Sequence, residues 1–179
     1  MKIDLARLAV VHYPHPALRQ RCAPVTEFDD ELRALVAKMT ELMRGQKGVG
    51  LAAPQVGLPM RLFVMNATGQ PGDDRVYVNP VIRDQHGNEE GEEGCLSLPT
   101  VHVQVRRAVR CRMTAQDVYG NPVEEEISEL VARIMQHETD HLNGVLIIDR
   151  MGPSDRMATK RTLRALEDQY QNGVAARAG

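Results

Sequence analysis

The hydrophobic and polar positions predict a central helix in the last third of the chain. Between positions 127 and 142, apolar residues recur at helical spacing, and this stripe comprises Ile127, Leu130, Val131, Ile134 and Met135. Gly144 follows at a place where a residue in the left-handed conformation would end a helix. We therefore predict a helix that stops just before Gly144.

Two further helices are predicted from the same kind of pattern. Between Phe28 and Met43, apolar residues repeat at i, i+3, i+4 and i+7, with an aspartate near the start and Gly45 at the end. A last helix is expected to begin with Ser154 as its cap and to run to about Tyr170. Residues 172–179 are expected to be a frayed tail.

Strands are predicted where β-branched residues alternate with polar ones. The predicted strands are 61–66, 76–81, 101–114 and a short apolar one at 145–148. Residues 48–55 are rich in glycine and small side chains, so we expect an irregular loop that another backbone can approach closely. The acidic run 89–93, taken alone, is interpreted as a solvated turn between strands.

Composition narrows the class of protein. The 179 residues include 22 Lys and Arg against 24 Asp and Glu, a formal net charge of -2. This balance gives no reason to expect DNA or membrane binding. No apolar run is long enough to span a membrane, and the first residues lack the apolar stretch of a secretory leader, so we expect neither feature. Three widely spaced cysteines argue against a disulfide framework. We expect one cytoplasmic domain, residues 1–179, that is monomeric.

The central helix contains the sequence His-Glu-x-x-His, from His137 to His141. A helix turns by about 100° per residue, so two histidines four positions apart share a face and can bind one metal ion. Glu138, beside the first histidine, can reach a metal-bound water without binding the metal itself. Both histidines are candidate metal ligands, although a five-residue motif is only moderately specific.

A catalytic metal site needs a third protein ligand and one open position. Two metallopeptidase patterns do not supply it. Thermolysin-like peptidases place a glutamate downstream of the helix, but residues 156–166 contain no carboxylate. Metzincins carry a third histidine at the position where this chain has Ile147. Cys95 can offer a thiolate, yet a cysteine is by residue type more often a small buried hydrophobic residue. The residues alone leave the third ligand open.

Three motifs resemble the signature motifs of peptide deformylases: Gly48-x-Gly50-x-Ala52-Ala53-x-Gln55, Glu93-Gly94-Cys95-Leu96-Ser97 and Gln136-His137-Glu138-x-Asp140-His141. They occur in the family's order and at similar separations, and three motifs together are far more specific than one. We therefore expect an α+β fold, in which antiparallel β-sheets pack around a central metal-binding α-helix and a C-terminal helix follows.

The resemblance implies removal of the formyl group from the initiator N-formylmethionine of newly made polypeptides. By position, it implies that Cys95, His137 and His141 hold the metal. It implies that Glu138 acts as general base on the metal-bound water and then as general acid toward the leaving amine.

The resemblance also implies how substrate binds. The side-chain amide of Gln55 and the backbone N–H of Leu96 would form the oxyanion hole. The substrate backbone would pair, like an added strand, with the region around Gly50 and with the strand through Glu93 and Gly94.

The methionine side chain is expected to enter a pocket with Val49, Leu130 and Ile134 as its floor. Arg133 lies one helical turn before His137, at a position where the resemblance leads us to expect an apolar residue. We expect its methylene stem to line the rim while the guanidinium turns to water or to the acidic run 89–93. The alternative is that Arg133 points away from substrate.

One divalent metal ion is implied. Ligand softness alone favours Zn²⁺, whereas the resemblance implies Fe²⁺ in the cell, with Zn²⁺, Ni²⁺ or Co²⁺ able to occupy the site. The implied partners are N-formylmethionyl nascent peptides, and the basic residues of the last helix could contact ribosomal RNA. Two rival hypotheses stay open: a zincin-type metallopeptidase, and a non-catalytic, metal-stabilised module associated with the ribosome.

Overall fold

The computed structural model describes residues 3–178. Its helices are α1 (Asp30–Gly45), α2 (Glu129–Leu142), α3 (Ile147–Arg150) and α4 (Pro153–Ala178). Its strands are β1 (Gly50–Ala52), β2 (Leu62–Met65), β3 (Arg75–His86), β4 (Glu89–Cys95), β5 (Leu98–Arg107), β6 (Arg110–Gln116) and β7 (Pro122–Ser128). Short 3-10 helices occupy Leu5–Arg7, Pro16–Arg19 and Ala53–Val56.

The strands form two antiparallel sheets. A five-stranded sheet has the order β1-β2-β3-β6-β7, and β4 pairs with β5 in a separate two-stranded sheet. Helix α2 contacts every strand of the larger sheet, and α4 packs against β5. The predicted α+β fold, with antiparallel sheets around the motif-bearing helix and a C-terminal helix, is confirmed. None of the helices within residues 3–178 combines the length and apolar character needed to cross a membrane.

Strand β2 shows why the larger sheet is covered on both faces. Successive side chains of a strand point to opposite faces, and here Phe63 and Met65 pack into the cluster that α2 closes. Leu62 and Val64 pack into the cluster that α1 closes. All four side chains are buried, which is why this strand is a continuous apolar run.

Local signals in the sequence mark the start of α1 and the end of α2. Asp29 caps α1 by accepting a hydrogen bond from the backbone N–H of Leu32 at 2.9 Å, close to the predicted start. Gly144, two residues beyond α2, has a φ of +74°, the left-handed conformation predicted for it. Ile127 belongs to β7 and not to the helix.

Several predicted elements were wrong. The acidic run 89–93 is part of strand β4, because its backbone pairs along β5 and Glu90 lies opposite Arg106. The predicted strand 101–114 is two strands in different sheets, β5 and β6. Residues 48–55 include β1 and a 3-10 helix, and β7 was not predicted at all.

The chain after α2 also differs from the prediction. Residues 145–148 do not form a strand, because Leu146 and the residues after it turn into α3, which buries Ile147 and Ile148. A short apolar run cannot be assigned to strand or helix by periodicity alone. Helix α4 begins at Pro153 and continues beyond Tyr170, so most of the predicted tail is helical. Gly179 lies outside the described residues.

Candidate metal centre and active site

Three side chains from two elements converge at one point. Helix α2 supplies His137 and His141, one turn apart, and the last residue of β4 supplies Cys95. The Nε2 atom of His141 lies 3.2 Å from Nε2 of His137 and 3.3 Å from Sγ of Cys95. The three ligand atoms all lie within 4.8 Å of one another. One thiolate and two imidazole nitrogens this close together fit a single divalent metal ion with a position left for water.

Glu93 orients the first histidine. It is almost fully buried, and its Oε2 lies 3.0 Å from Nδ1 of His137, so that Nδ1–H donates and Nε2 stays available to a metal. Arg107 donates to both carboxylate oxygens, at 2.9 and 2.8 Å. Burial penalises the charged carboxylate, but the hydrogen bonds from Arg107 and His137 outweigh this and lower the pKa of Glu93 to about 2.

The hydrogen-bond network continues through Arg107 and Asp140, which had no role predicted from the sequence. Arg107 is as buried as Glu93 and also donates to Asp140, which in turn accepts hydrogen bonds from Arg150. Burial disfavours the guanidinium charge, but Glu93 and Asp140 outweigh it and raise the pKa of Arg107. The third motif contains Asp140, so a signal for it existed, whereas nothing in the sequence marked Arg107.

The two histidines differ in their pKa. Burial lowers the pKa of each, but hydrogen bonds to Cys95 and Glu93 outweigh burial at His137 and raise its pKa well above the usual value. At His141, burial and the neighbouring His137 charge act together and lower the pKa well below the usual value. A metal ion binds unprotonated imidazole, so the low pKa of His141 favours binding, whereas binding at His137 would release a proton.

Glu138 is buried against the glycine-rich segment. A Cβ atom added at Gly50 would lie 2.2 Å from Oε1 of Glu138, so only glycine leaves room for the carboxylate in this position. Within residues 3–178, Oε2 of Glu138 has no hydrogen-bond partner. Burial raises the pKa of Glu138 to about 7, the range in which a carboxylate both accepts and releases a proton near neutral pH.

The side-chain amide of Gln55 directs its N–H donor toward Cys95. The backbone N–H of Ala52 donates to its Oε1 at 2.8 Å, which turns the amide nitrogen the other way. That nitrogen lies 3.2 Å from Oγ of Ser97 and 3.5 Å from Sγ of Cys95. Leu96 stands between these last two residues. Ser97, which belongs to the second motif, had no predicted role.

A cavity of about 420 Å³ opens beside this centre. All three motifs and α2 contribute to its walls, and the predicted site residues among its lining are Val49, Gly50, Gln55, Glu93, Gly94, Cys95, Leu96, Leu130, Arg133, Ile134, His137 and Glu138. Ile134 is buried, but Val49 is 47% exposed and Leu130 is 54% exposed. These two side chains therefore lie at the mouth of the cavity, and not at its floor as predicted.

Arg133 lines the cavity and joins α2 to the small sheet. Its guanidinium donates to Glu93 at 3.0 Å, to the backbone oxygen of Val105 at 2.9 Å and to that of Glu89 at 2.9 Å. The charged end is thus turned toward the acidic strand β4. Glu93 therefore contacts both His137 and Arg133.

The comparisons with known proteins agree with this geometry. Residues 7–157 match the family model described as polypeptide deformylase. The chain is 45% identical over 149 residues to a peptide deformylase of Thermotoga maritima, which covers 83% of this chain and 89% of that protein. It is 40% identical over 176 residues to one of Alkalilimnicola ehrlichii, covering 98% and 99%.

Solved structures agree as well. The crystal structure of a plant peptide deformylase superposes with a TM-score of 0.91 at 39% identity and covers 94% of each chain. That of peptide deformylase from Plasmodium falciparum gives 0.89 at 37% identity, covering 91% of this chain and 97% of that one. The chain belongs to the polypeptide deformylase family, a family of metal-dependent hydrolases.

Proposed function

We propose that this protein removes the N-formyl group from the initiator formylmethionine of newly made polypeptides. The observation that carries the proposal is the convergence, at one cavity, of the ligand set Cys95, His137 and His141 with two further groups. These are the buried carboxylate of Glu138 and the amide donor of Gln55. The reaction adds water across the formyl C–N bond and yields formate and a free amino terminus.

A divalent ion held by Cys95, His137 and His141 would supply Lewis-acid activation of water near neutral pH. We propose Fe²⁺ as the ion in the cell because the family resemblance implies it, with Zn²⁺, Ni²⁺ or Co²⁺ able to take its place. The softness of a thiolate with two imidazoles by itself favours Zn²⁺.

Glu138 has the position and the pKa of a group that moves protons. It takes a proton from the attacking water and delivers it to the amine that leaves, a role that is typically worth about 10²–10⁴ in rate. Its burial supports this, since the pKa of about 7 makes both forms available. Because Gly50 has no side chain, the carboxylate has room to occupy this position.

The amide N–H of Gln55 and the backbone N–H of Leu96 stabilise the charge that develops on the formyl oxygen. The hydrogen bond from Ala52 fixes the amide of Gln55 in advance, so no reorganisation is needed at the moment of reaction. Losing one such donor typically costs about 10²–10³ in rate.

Two free strand edges support binding of an extended peptide. Within the described residues, β1 pairs only with β2, and β4 pairs only with β5. The cavity is lined by Gly50 from β1 and by Glu93 and Gly94 from β4. A substrate backbone that pairs with these edges carries its methionine side chain toward Ile134, past Val49 and Leu130 at the mouth.

Partner and location follow from the proposed substrate. Nascent peptides are made in the cytoplasm, and we place the enzyme there as a monomer. Lys160, Arg161 and Arg164 are exposed on α4, which supports a separate contact with ribosomal RNA.

The experiment that tests the proposal compares formyl-Met-Ala-Ser with unformylated Met-Ala-Ser. We expect stoichiometric formate from the first peptide and no cleavage of the second. A zincin-type metallopeptidase would instead cleave a peptide bond in the unblocked peptide, and a non-catalytic module would leave both intact. Either result would overturn the assignment.

A further inference from the structure

A second cleft, of about 520 Å³, lies against another face of α2. It shares no lining residue with the substrate cavity. Gln136, Thr139 and Asp140 of α2 line it, and their i, i+3, i+4 spacing makes them one stripe on the helix. The remaining walls come from strands β3 and β5, helix α3 and the connecting residues Arg61, Asn88, Ala108 and Asn143.

The lining of this cleft is rich in arginine. Its lining contains four arginines, Arg61, Arg106, Arg107 and Arg150, and we refer to it as the arginine cleft. Asp140 is the single acidic residue among the described residues that line it. Arg107 and Arg150 both pair with Asp140, and Arg107 also pairs with Glu93, which lies outside the lining.

The positive charges of the other two arginines are less fully neutralised by carboxylates. Arg106 is exposed, and the nearest carboxylate oxygen, on Glu90, lies 3.6 Å away. Arg61 donates to two neutral acceptors, Oδ1 of Asn143 and the backbone oxygen of Pro80, each at 3.0 Å. Within residues 3–178, no carboxylate oxygen lies within 4.0 Å of its guanidinium. Its positive charge is therefore held in a fixed orientation by neutral groups.

Thr139 adds an unused polar group to the same walls. Its Oγ1 is shielded from solvent yet has no hydrogen-bond partner among residues 3–178. A buried hydroxyl without a partner costs free energy, and rotation of the Thr139 side chain toward the cleft would let a ligand there supply the missing hydrogen bond. The amides of Gln85 and Asn88 complete the polar lining.

We propose that the arginine cleft binds a small anion that bears a phosphate group. The planar guanidinium presents donors in a fork that matches phosphate oxygens, and Arg61 supplies such a donor group without a competing carboxylate. The volume of about 520 Å³ lies in the range typical of small-molecule sites, which favours a small molecule over a nucleic-acid strand. This site shares no lining residue with the substrate cavity, and its function is separate from the reaction proposed there, although Arg107 connects the two through Glu93.

The test is a titration of the zinc-loaded protein with inorganic phosphate, followed by the backbone amide resonances of Arg61 and Thr139. We expect these resonances to shift with one saturation curve, while those of Gly50 and Gly94 at the substrate cavity stay in place. Arg61→Gln should weaken phosphate binding at least about tenfold, since a hydrogen bond to a charged group is lost.

Arg112→Gln is the matched control, because it removes the same charge from an exposed arginine that does not line the arginine cleft. Its phosphate affinity should equal that of the parent protein. Thr139→Val keeps the shape of the side chain and should also weaken phosphate binding. It tests the proposal if Arg61→Gln does not fold. No shifts at millimolar phosphate, shifts only at the metal centre, or equal weakening in the control would overturn the proposal. Stronger binding of hexauridylate than of phosphate at these amides would also overturn it, in favour of RNA.

Discussion

Replacing Gly50 by alanine would place a methyl group against the carboxylate of Glu138. The added carbon would lie 2.2 Å from Oε1, 2.7 Å from Cδ and 3.0 Å from Cγ of that side chain. Gly50 does not have a left-handed φ, so its backbone accepts alanine and strand β1 can still form. The substitution therefore acts on the position of Glu138 and leaves the main chain intact.

The size of the effect follows from the contact distances. The carboxylate must retreat until the closest approach reaches at least 3.0 Å, which from 2.2 Å is a shift of about 0.8 Å. A misplacement of about 1 Å at a catalytic group typically costs about 10²-fold in rate. We expect kcat for formate release from formyl-Met-Ala-Ser to fall by about this factor.

The assay couples formate release to a formate dehydrogenase, with metal content measured on the same sample. Gly45→Ala is the control, because a Cβ atom added at Gly45 meets nothing within 4 Å; its kcat should match that of the parent protein. Gly50→Ala should keep its metal and its melting temperature within a few degrees. A kcat within twofold of the parent, or a loss of rate that follows loss of metal, would refute the proposed position of Glu138.

Three other substitutions test separate parts of the site. Glu138→Gln should retain the metal and lose about 10²–10⁴ in kcat; loss of metal from the folded variant would show that Glu138 is a ligand. Glu93→Gln should weaken metal affinity about 10–100-fold, because Glu93 orients His137, and an unchanged affinity in a chelator competition would exclude that role. Arg133→Ile should change the ranking of formyl-Met, formyl-norleucine and formyl-Phe substrates but not the metal content, since Arg107 still holds Glu93; an unchanged ranking would place Arg133 outside substrate recognition.

The candidate metal site was predictable because its residues lie in short motifs of the sequence. His137, Glu138 and His141 lie within one turn and a half of a helix whose apolar stripe is evident, and Cys95 stands in a motif that could be matched as a unit. The glycine at position 50 belongs to such a motif too. Its physical reason, the space that Glu138 occupies, became visible only in three dimensions.

The strands around the site were harder to predict because their partners are distant in the chain. The acidic run 89–93 has the composition of a solvated turn, yet Glu93 is buried because Arg107, fourteen positions later, neutralises it. Strand β7 contains three consecutive glutamates, Glu124 to Glu126, and its pairing with β6 is not coded by apolar periodicity. The break between β5 and β6 at Ala108 and Val109 also depends on which sheet each half joins.

The most direct test of the central claim is to follow formate release while the metal is removed and returned. A chelator should abolish release from formyl-Met-Ala-Ser, and activity should return in proportion to added Fe²⁺ or Zn²⁺, reaching its maximum at one ion per chain. Cys95→Ala should fail to recover under the same conditions. Formate release that persists after the metal is gone, or a stoichiometry other than one, would contradict the account.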